Sequence, residues 1–289
     1  MKQFLAALAI ASAIVLPAHA AGPLPVVAAE NFYAGIVAAV GGSHVAVTAI
    51  MSNPDEDPHL FEASPSVARN LAAARLVVYN GVDYDPWVAK LLDANNSPGR
   101  QVIVAGDIVG HKVGDNPHLW YDPATMPAVA TAIADKLAAI DPANAADYRA
   151  SLTKVDADLQ RIADKAAAIK AKFAGAPVTA TEPVFGYMAA ALGLKMRNES
   201  FQLSVMNDTE PSARDTAAME ADLKSHAVKV FFYNSQVTDP LTDRLLSLAH
   251  KSGVPVVGVS ETQPAGKSFA AWMLSELDAT EKALAGPSS

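Results

Sequence analysis

From Val26 onward the chain alternates short apolar runs with stretches of helical spacing. Seven runs read as strands: Val26–Ala29, Val45–Ile50, Arg75–Tyr79, Val102–Ala105, Val178–Thr181, Lys229–Tyr233 and Val256–Val259. They are short, β-branched or aromatic, and bounded by Gly, Pro, Asn or Asp, which is how strands are punctuated. Helical stretches lie between them, for example Pro65–Ala74 and Pro127–Ile140. Alternating β and α predicts an α/β fold of mostly parallel sheets flanked by helices.

One segment breaks the alternation. Between Ala143 and Ala174 apolar residues fall at Leu152, Val155, Leu159, Ile162, Ala166, Ile169 and Phe173, at alternating gaps of three and four. That spacing puts them on one stripe of a long helix. Asp141 offers a cap, Pro142 suits the first helical position, and Gly175 and Pro177 suit the end. About three heptads make a packed connecting helix a better reading than a coiled coil. The expected layout is an N-terminal lobe over residues 21–142, a rigid helix over 143–175 and a C-terminal lobe over 176–289.

An internal repeat supports two lobes. Leu76–Asp107 aligns without a gap on Val230–Glu261 at an offset of 154, and eight of the 32 pairs are identical, Asn80/Asn234 and Asp85/Asp239 among them. Both lobes are therefore expected to use one strand–helix–strand unit. The units end at Asp107 and Glu261. Ligands of open α/β sheets bind beyond the carboxyl ends of the strands, so both acids are expected to face one cleft.

The first twenty residues change the setting. Lys2, the apolar run Phe4–Leu16 and Ala18-His19-Ala20 have the layout of a signal peptide cleaved after Ala20. The apolar run is too short to span a bilayer. With no cysteine there is no lipid-anchor thiol, no disulfide and no Cys-ligated zinc. A soluble periplasmic protein is the expectation. The net charge of −8 argues against a nucleic-acid partner.

Candidate chemistry then concentrates in two histidines and two acids. His59 and His118 each follow a proline in a loop, which holds the imidazole on a stiff platform. Loop histidines of this kind can be metal ligands or incidental surface residues. Glu182 and Glu261 follow strands of the second lobe, so His59, His118, Glu182 and Glu261 form a candidate metal set with two ligands per lobe. His44, His226 and His250 read as structural or surface residues, and the role of His111 stays open. No phosphate loop, dinucleotide fingerprint, nucleophile elbow or zinc-protease motif is present. Four protein ligands leave no open position for an activated water, so binding is expected rather than catalysis.

These segments resemble the metal-specific substrate-binding proteins of bacterial zinc, manganese and iron ABC importers. DPHLFEASPS (57–66) and NPHLWYDP (116–123) are similar to that family's first two ligand loops, with His59 and His118 as ligands. TEPVFGYMAAALGL (181–194) and VPVVGVSETQP (254–264) are similar to the third and fourth, placing Glu182 and Glu261. Glu261 stands where Asp is usual, and only His111–Asp115 occupies the place of the long His-rich loop of many zinc-specific members. The resemblance implies two α/β lobes joined by one helix, a single transported Zn2+ or Mn2+, with Fe2+ a further candidate, and delivery by a monomer to an inner-membrane permease. A carrier for a siderophore or corrinoid and a secreted metallohydrolase are the alternatives.

Overall fold

The computed structural model describes residues 22–53, 61–237 and 239–286. The expected signal peptide and His59 lie outside these residues. Among the described residues eight strands form two sheets. The first holds β1 (Leu24–Glu30), β2 (Val45–Met51), β3 (Leu76–Tyr79) and β4 (Gln101–Val104). The second holds β5 (Pro177–Ala180), β6 (Lys195–Arg197), β7 (Val230–Asn234) and β8 (Val256–Val259). All neighbours are parallel, in the orders β2-β1-β3-β4 and β6-β5-β7-β8. The repeat in the sequence is thus a repeat of topology. Val78 pairs with Ile103, and Phe232, 154 residues on, pairs with Val257.

The helices are α1 (Asn31–Gly41), α2 (Pro65–Ala73), α3 (Pro86–Ala94), α4 (Ala105–Val109), α5 (Thr125–Ile140), α6 (Ala145–Phe173), α7 (Gly186–Ala191), α8 (Glu199–Met206), α9 (Ala213–Lys224), α10 (Pro240–Lys251) and α11 (Phe269–Ala285). Central strands are covered on both faces: Val26 and Val78 belong to one buried cluster, Val27 and Val77 to another. That double burial is why they read as continuous apolar runs. Strand β6 escaped the sequence reading. It has three residues, two of them charged and exposed, and it lies at a sheet edge where no apolar alternation is required.

Helix α6 carries the expected stripe. Val155, Leu159, Ile162, Ala166 and Ile169 are buried, and Leu152 and Phe173 pack beside them. The helix packs on α1, α5 and α11. One core therefore runs through both lobes, from Val26 and Leu76 to Val178 and Val230. The helix starts later than expected, because Pro142–Asn144 forms a separate 3-10 turn. Asp141 does not cap the helix backbone. Its Oδ2 accepts from Asn144 Nδ2 at 2.6 Å and from the Tyr148 hydroxyl at 2.8 Å. Gly175 ends the segment at φ +84°, a left-handed position that suits glycine.

A buried polar link ties the lobes next to this core. The Tyr121 hydroxyl lies 2.7 Å from Ser260 O and 2.7 Å from Glu276 Oε2, and Trp272 Nε1 donates to Glu276 Oε1 at 2.7 Å. One hydroxyl proton cannot serve two acceptors. Both contacts are satisfied when Tyr121 donates to Ser260 O and a protonated Glu276 donates to the Tyr121 oxygen. Burial pushes the Glu276 carboxyl up to about 7, although hydrogen bonding at its oxygens pulls the other way. From its ordinary value of 4.5 up to about 7, the folded state holds more protons here than the unfolded chain. The group's contribution is therefore fully present below that ordinary value and lost as pH rises through about 7. Glu276→Gln keeps a donor toward Tyr121 without a titrating group. We expect the variant to match the wild type near pH ~5 and to exceed it near pH ~8, by up to about 3 kcal/mol. Urea unfolding at both pH values measures this, and a difference independent of pH would refute the assignment.

Candidate metal centre

His118 lies just before a 3-10 turn at Leu119–Tyr121 and is fully buried. Its loop is held by side-chain amides. Asn80, immediately after β3, donates from Nδ2 to Pro117 O at 2.9 Å and to Gly81 O at 3.0 Å, and its Oδ1 accepts from the Tyr33 hydroxyl at 2.9 Å. Asn116 sets the imidazole. Its Nδ2 donates to Pro183 O at 2.8 Å, so its Oδ1 is the acceptor facing His118 Nδ1 at 2.6 Å. Nδ1 therefore bears a hydrogen, and Nε2 is the nitrogen turned toward Glu261, the orientation in which a histidine can serve as a metal ligand. Gly186 gives the Asn116 amide its room, since a Cβ there would stand 3.0 Å from Nδ2.

The turn after Asn80 is strained. Gly81, Val82 and Asp83 have φ of +75°, +56° and +60°, and a β-branched residue is rare in that region. The turn folds Asp85 back, so that its carboxylate accepts from Asn80 N at 2.7 Å and Gly81 N at 2.8 Å. It also places Tyr84 edge-on to His118, with ring centroids 6.1 Å apart. The other lobe uses the matching acid differently: Asp239 caps α10 by accepting from Leu241 N and Thr242 N.

In the second lobe Glu182 and Glu261 each stand two residues beyond a strand, β5 and β8. They are 4% and 0% exposed. Asn234, the last residue of the intervening strand β7, reaches both. Its Nδ2 lies 2.6 Å from Glu261 Oε1 and 3.4 Å from Glu182 Oε2. Gln236 Oε1 accepts from the backbone N–H of Glu261 at 2.6 Å and of Thr262 at 3.0 Å, which fixes the loop. Across the lobes Glu261 Oε2 faces His118 Nε2 at 3.5 Å.

Of the expected side chains, the described residues bring His118 and Glu261 to 3.5 Å, while Glu182 reaches Glu261 only through a shared neighbour, the Asn234 amide. The described His, Asp and Glu side chains do not by themselves form a three-membered cluster. Asp107 is a correction. Strand β4 runs straight into α4, and Asp107 sits exposed on that helix's first turn instead of facing the cleft. His111 stays at the surface with Asp115, Nδ1 to Oδ2 3.1 Å. His44 pairs with Asp147 at 3.0 Å, and His226 and His250 are exposed at helix ends, as expected for structural or surface residues.

Sequence reasoning missed the polar support and one acidic pair. Glu30 ends β1 fully buried; burial and then the charge of Asp85 push its carboxyl well above the ordinary range. Burial raises Asp85 to about 6, against hydrogen bonds from Glu30 and from the backbone of Asn80 and Gly81. Burial, then the charges of Glu261 and Glu30, keeps the Tyr84 hydroxyl neutral. The identical pair Asn80/Asn234 was the available signal for the amides.

A family model described as zinc-uptake complex component A, periplasmic (ZnuA) matches residues 26–283. The high-affinity zinc uptake system protein ZnuA of Bacillus subtilis is 27% identical over 252 residues, covering 79% of this chain and 77% of its own. The manganese ABC transporter substrate-binding lipoprotein PsaA of Streptococcus pneumoniae is 24% identical over 306 aligned positions, covering 95% and 96%. In fold, the chain resembles the substrate-binding protein FpvC of Pseudomonas aeruginosa, solved in complex with Mn2+, at a TM-score of 0.75 and 21% identity, over 91% of this chain and 98% of that one. The chain belongs to the ZnuA family of periplasmic zinc-uptake components.

Proposed function

We propose that this protein captures one divalent transition metal ion between its lobes, through His59, His118, Glu182 and Glu261, and delivers it to the permease of an ABC importer. The cargo is zinc or manganese, with iron(II) a further candidate. The separation of His118 Nε2 from Glu261 Oε2, 3.5 Å, carries the reading. Two donors each about 2.1 Å from a tetrahedral ion stand about 3.4 Å apart. Two buried carboxylates held by one amide repel each other, and a cation between the lobes relieves that repulsion. The spacing suits a bare ion and not an organic chelate, which disfavours a siderophore or corrinoid carrier.

Four ligands in a buried site leave no coordination position for an activated water, which favours carriage over hydrolysis. The first twenty residues support export to the periplasm, with cleavage after Ala20. The lobes, residues 21–142 and 176–289, would work as a monomer beside an inner-membrane permease.

Titration calorimetry on the mature chain should give one ion per chain, with zinc bound more tightly than manganese, as the divalent order dictates. His118→Ala and Glu261→Ala should each weaken zinc binding by more than the ~10–100-fold typical of losing an outer-shell partner. Wild-type affinity in both variants would remove these residues from the site. Elemental analysis of protein purified from its host identifies the cargo, and a metal-free protein that binds neither ion would sink the reading.

The same donor chemistry predicts a shift in selectivity. Glu182→His exchanges a flexible oxygen donor for a single nitrogen and should raise the preference for zinc over manganese. Competition between the two ions for wild type and variant measures it, and an unchanged ratio would show that Glu182 does not influence metal choice.

A further inference from the structure

Strand β7 lies between β5 and β8, and its last residue ends between the two acids that follow those strands. Asn234 is therefore placed by topology with Glu182 on one side and Glu261 on the other. Its amide orientation is determined by its partners. Oδ1 accepts from Gln236 N at 3.0 Å, so Nδ2 is the group that meets both carboxylates, with one hydrogen available for each. The residue has little freedom to turn away. It is 3% exposed, and its own N–H donates to Thr181 Oγ1 at 3.2 Å.

We propose that Asn234 is a positioning residue that sets metal choice: by holding one oxygen of Glu182 and one of Glu261, it restricts each carboxylate to a single metal bond. The proposal rests on the metal-binding reading above. A carboxylate that chelates must turn both oxygens to the ion. The Asn234 hydrogen bond opposes that turn, strongly at Glu261 where it is 2.6 Å and less at Glu182 where the contact is 3.4 Å. The unconstrained donor set, two imidazoles and two carboxylates, can expand from four bonds to six, as manganese and iron(II) favour. With Asn234 in place the set stays at four, which zinc accepts as a tetrahedron. The 3.5 Å spacing of His118 Nε2 and Glu261 Oε2 agrees with four.

The repeat supplies a contrast. Asn80, the partner of Asn234 at the offset of 154, gives its amide to Gly81 O and Pro117 O and so positions the His118 loop. The same residue type at the same topological point supports backbone in one lobe and carboxylates in the other. Only the second use can change how many bonds a ligand makes.

Cobalt(II) reports coordination number directly. The wild-type Co2+ complex should show the strong visible d–d absorption of a four-coordinate ion. In Asn234→Leu, which keeps the volume and removes the donor, that absorption should weaken and move toward the pale spectrum of higher coordination. Zinc affinity should fall about 10- to 100-fold and manganese affinity less, so the zinc-to-manganese ratio falls. If Asn234→Leu does not fold, Asn234→Ala makes the same test with a smaller side chain that also lacks a donor. A folded variant with the wild-type cobalt spectrum and an unchanged ratio overturns the proposal. So does a pale, six-coordinate spectrum in the wild type, which needs no variant at all. Loss of all metal binding in a folded variant also overturns it, because Asn234 would then be a plain structural support. A wild-type chain that binds no Co2+, Zn2+ or Mn2+ is a different result, and it defeats the metal-binding reading itself.

Discussion

The planar amide of Asn116 fixes the geometry on which the site depends. One end accepts from His118 Nδ1 and so decides which imidazole nitrogen is presented; the other donates to Pro183 O, next to Glu182. A single side chain thus ties the orientation of His118, in the N-terminal lobe, to the segment that carries Glu182 in the C-terminal lobe. Neighbouring bonds repeat the theme. Asn31 and Gln263 exchange two hydrogen bonds, Nδ2 to Gln263 O at 2.8 Å and Gln263 N to Oδ1 at 3.0 Å, two residues beyond Glu261. Tyr121 reaches Ser260, one residue before it. Each of the segments carrying His118, Glu182 and Glu261 is anchored across the lobes within three residues of that side chain.

Burying so many polar groups costs free energy unless each finds a partner. The packing around the site offsets that cost. Phe32 stacks near Trp120 with centroids 4.6 Å apart, His118 meets Trp120 at 5.4 Å, and Phe185 stacks on Phe232 at 4.6 Å. These rings exclude water, which strengthens every charge interaction inside. Buried acids in such surroundings have two outcomes. Glu30 and Glu276 are pushed toward the neutral form by burial. Glu182 and Glu261 face a histidine nitrogen or one another's amide clamp, where a cation can hold them ionised.

The features legible in the sequence were those with a period or a repeat. Seven of the strands, the stripe of α6 and the shared unit of the lobes follow from apolar spacing, because burial of a strand or a helix face imposes that spacing. The positions of His118, Glu182 and Glu261 just beyond loop prolines and strand ends were also legible, and all three are buried. Asp107 was misplaced because the repeat carries topology but not the residue at which a strand gives way to a helix. The amide of Asn116 had no pattern to announce it, and the repeat that pairs Asn234 with Asn80 gave the residue but not its direction. A positioning donor needs only one bond in the right direction, and direction is a property of the folded chain. His59 lies outside the described residues, so its place in the set rests on its Pro-His loop and on the family resemblance.

The continuous core also limits how cargo can leave. Helix α6 buries one face against α1, α5 and α11, and the cluster it joins includes strands of both sheets. Bending such a helix would expose apolar side chains along its length, at about 25 cal/mol for each Å2 uncovered. The polar bonds around the site are cheaper to exchange, because water can replace a partner at a net cost of about 1 kcal/mol per bond. Any opening between the lobes is therefore cheapest at the segments that carry the proposed ligands: the loop before His118, the residues around Pro183 and the stretch Ser260–Gln263. Those segments hold the cross-lobe bonds, so on the proposed reading release of the ion would go with local separation of the lobes.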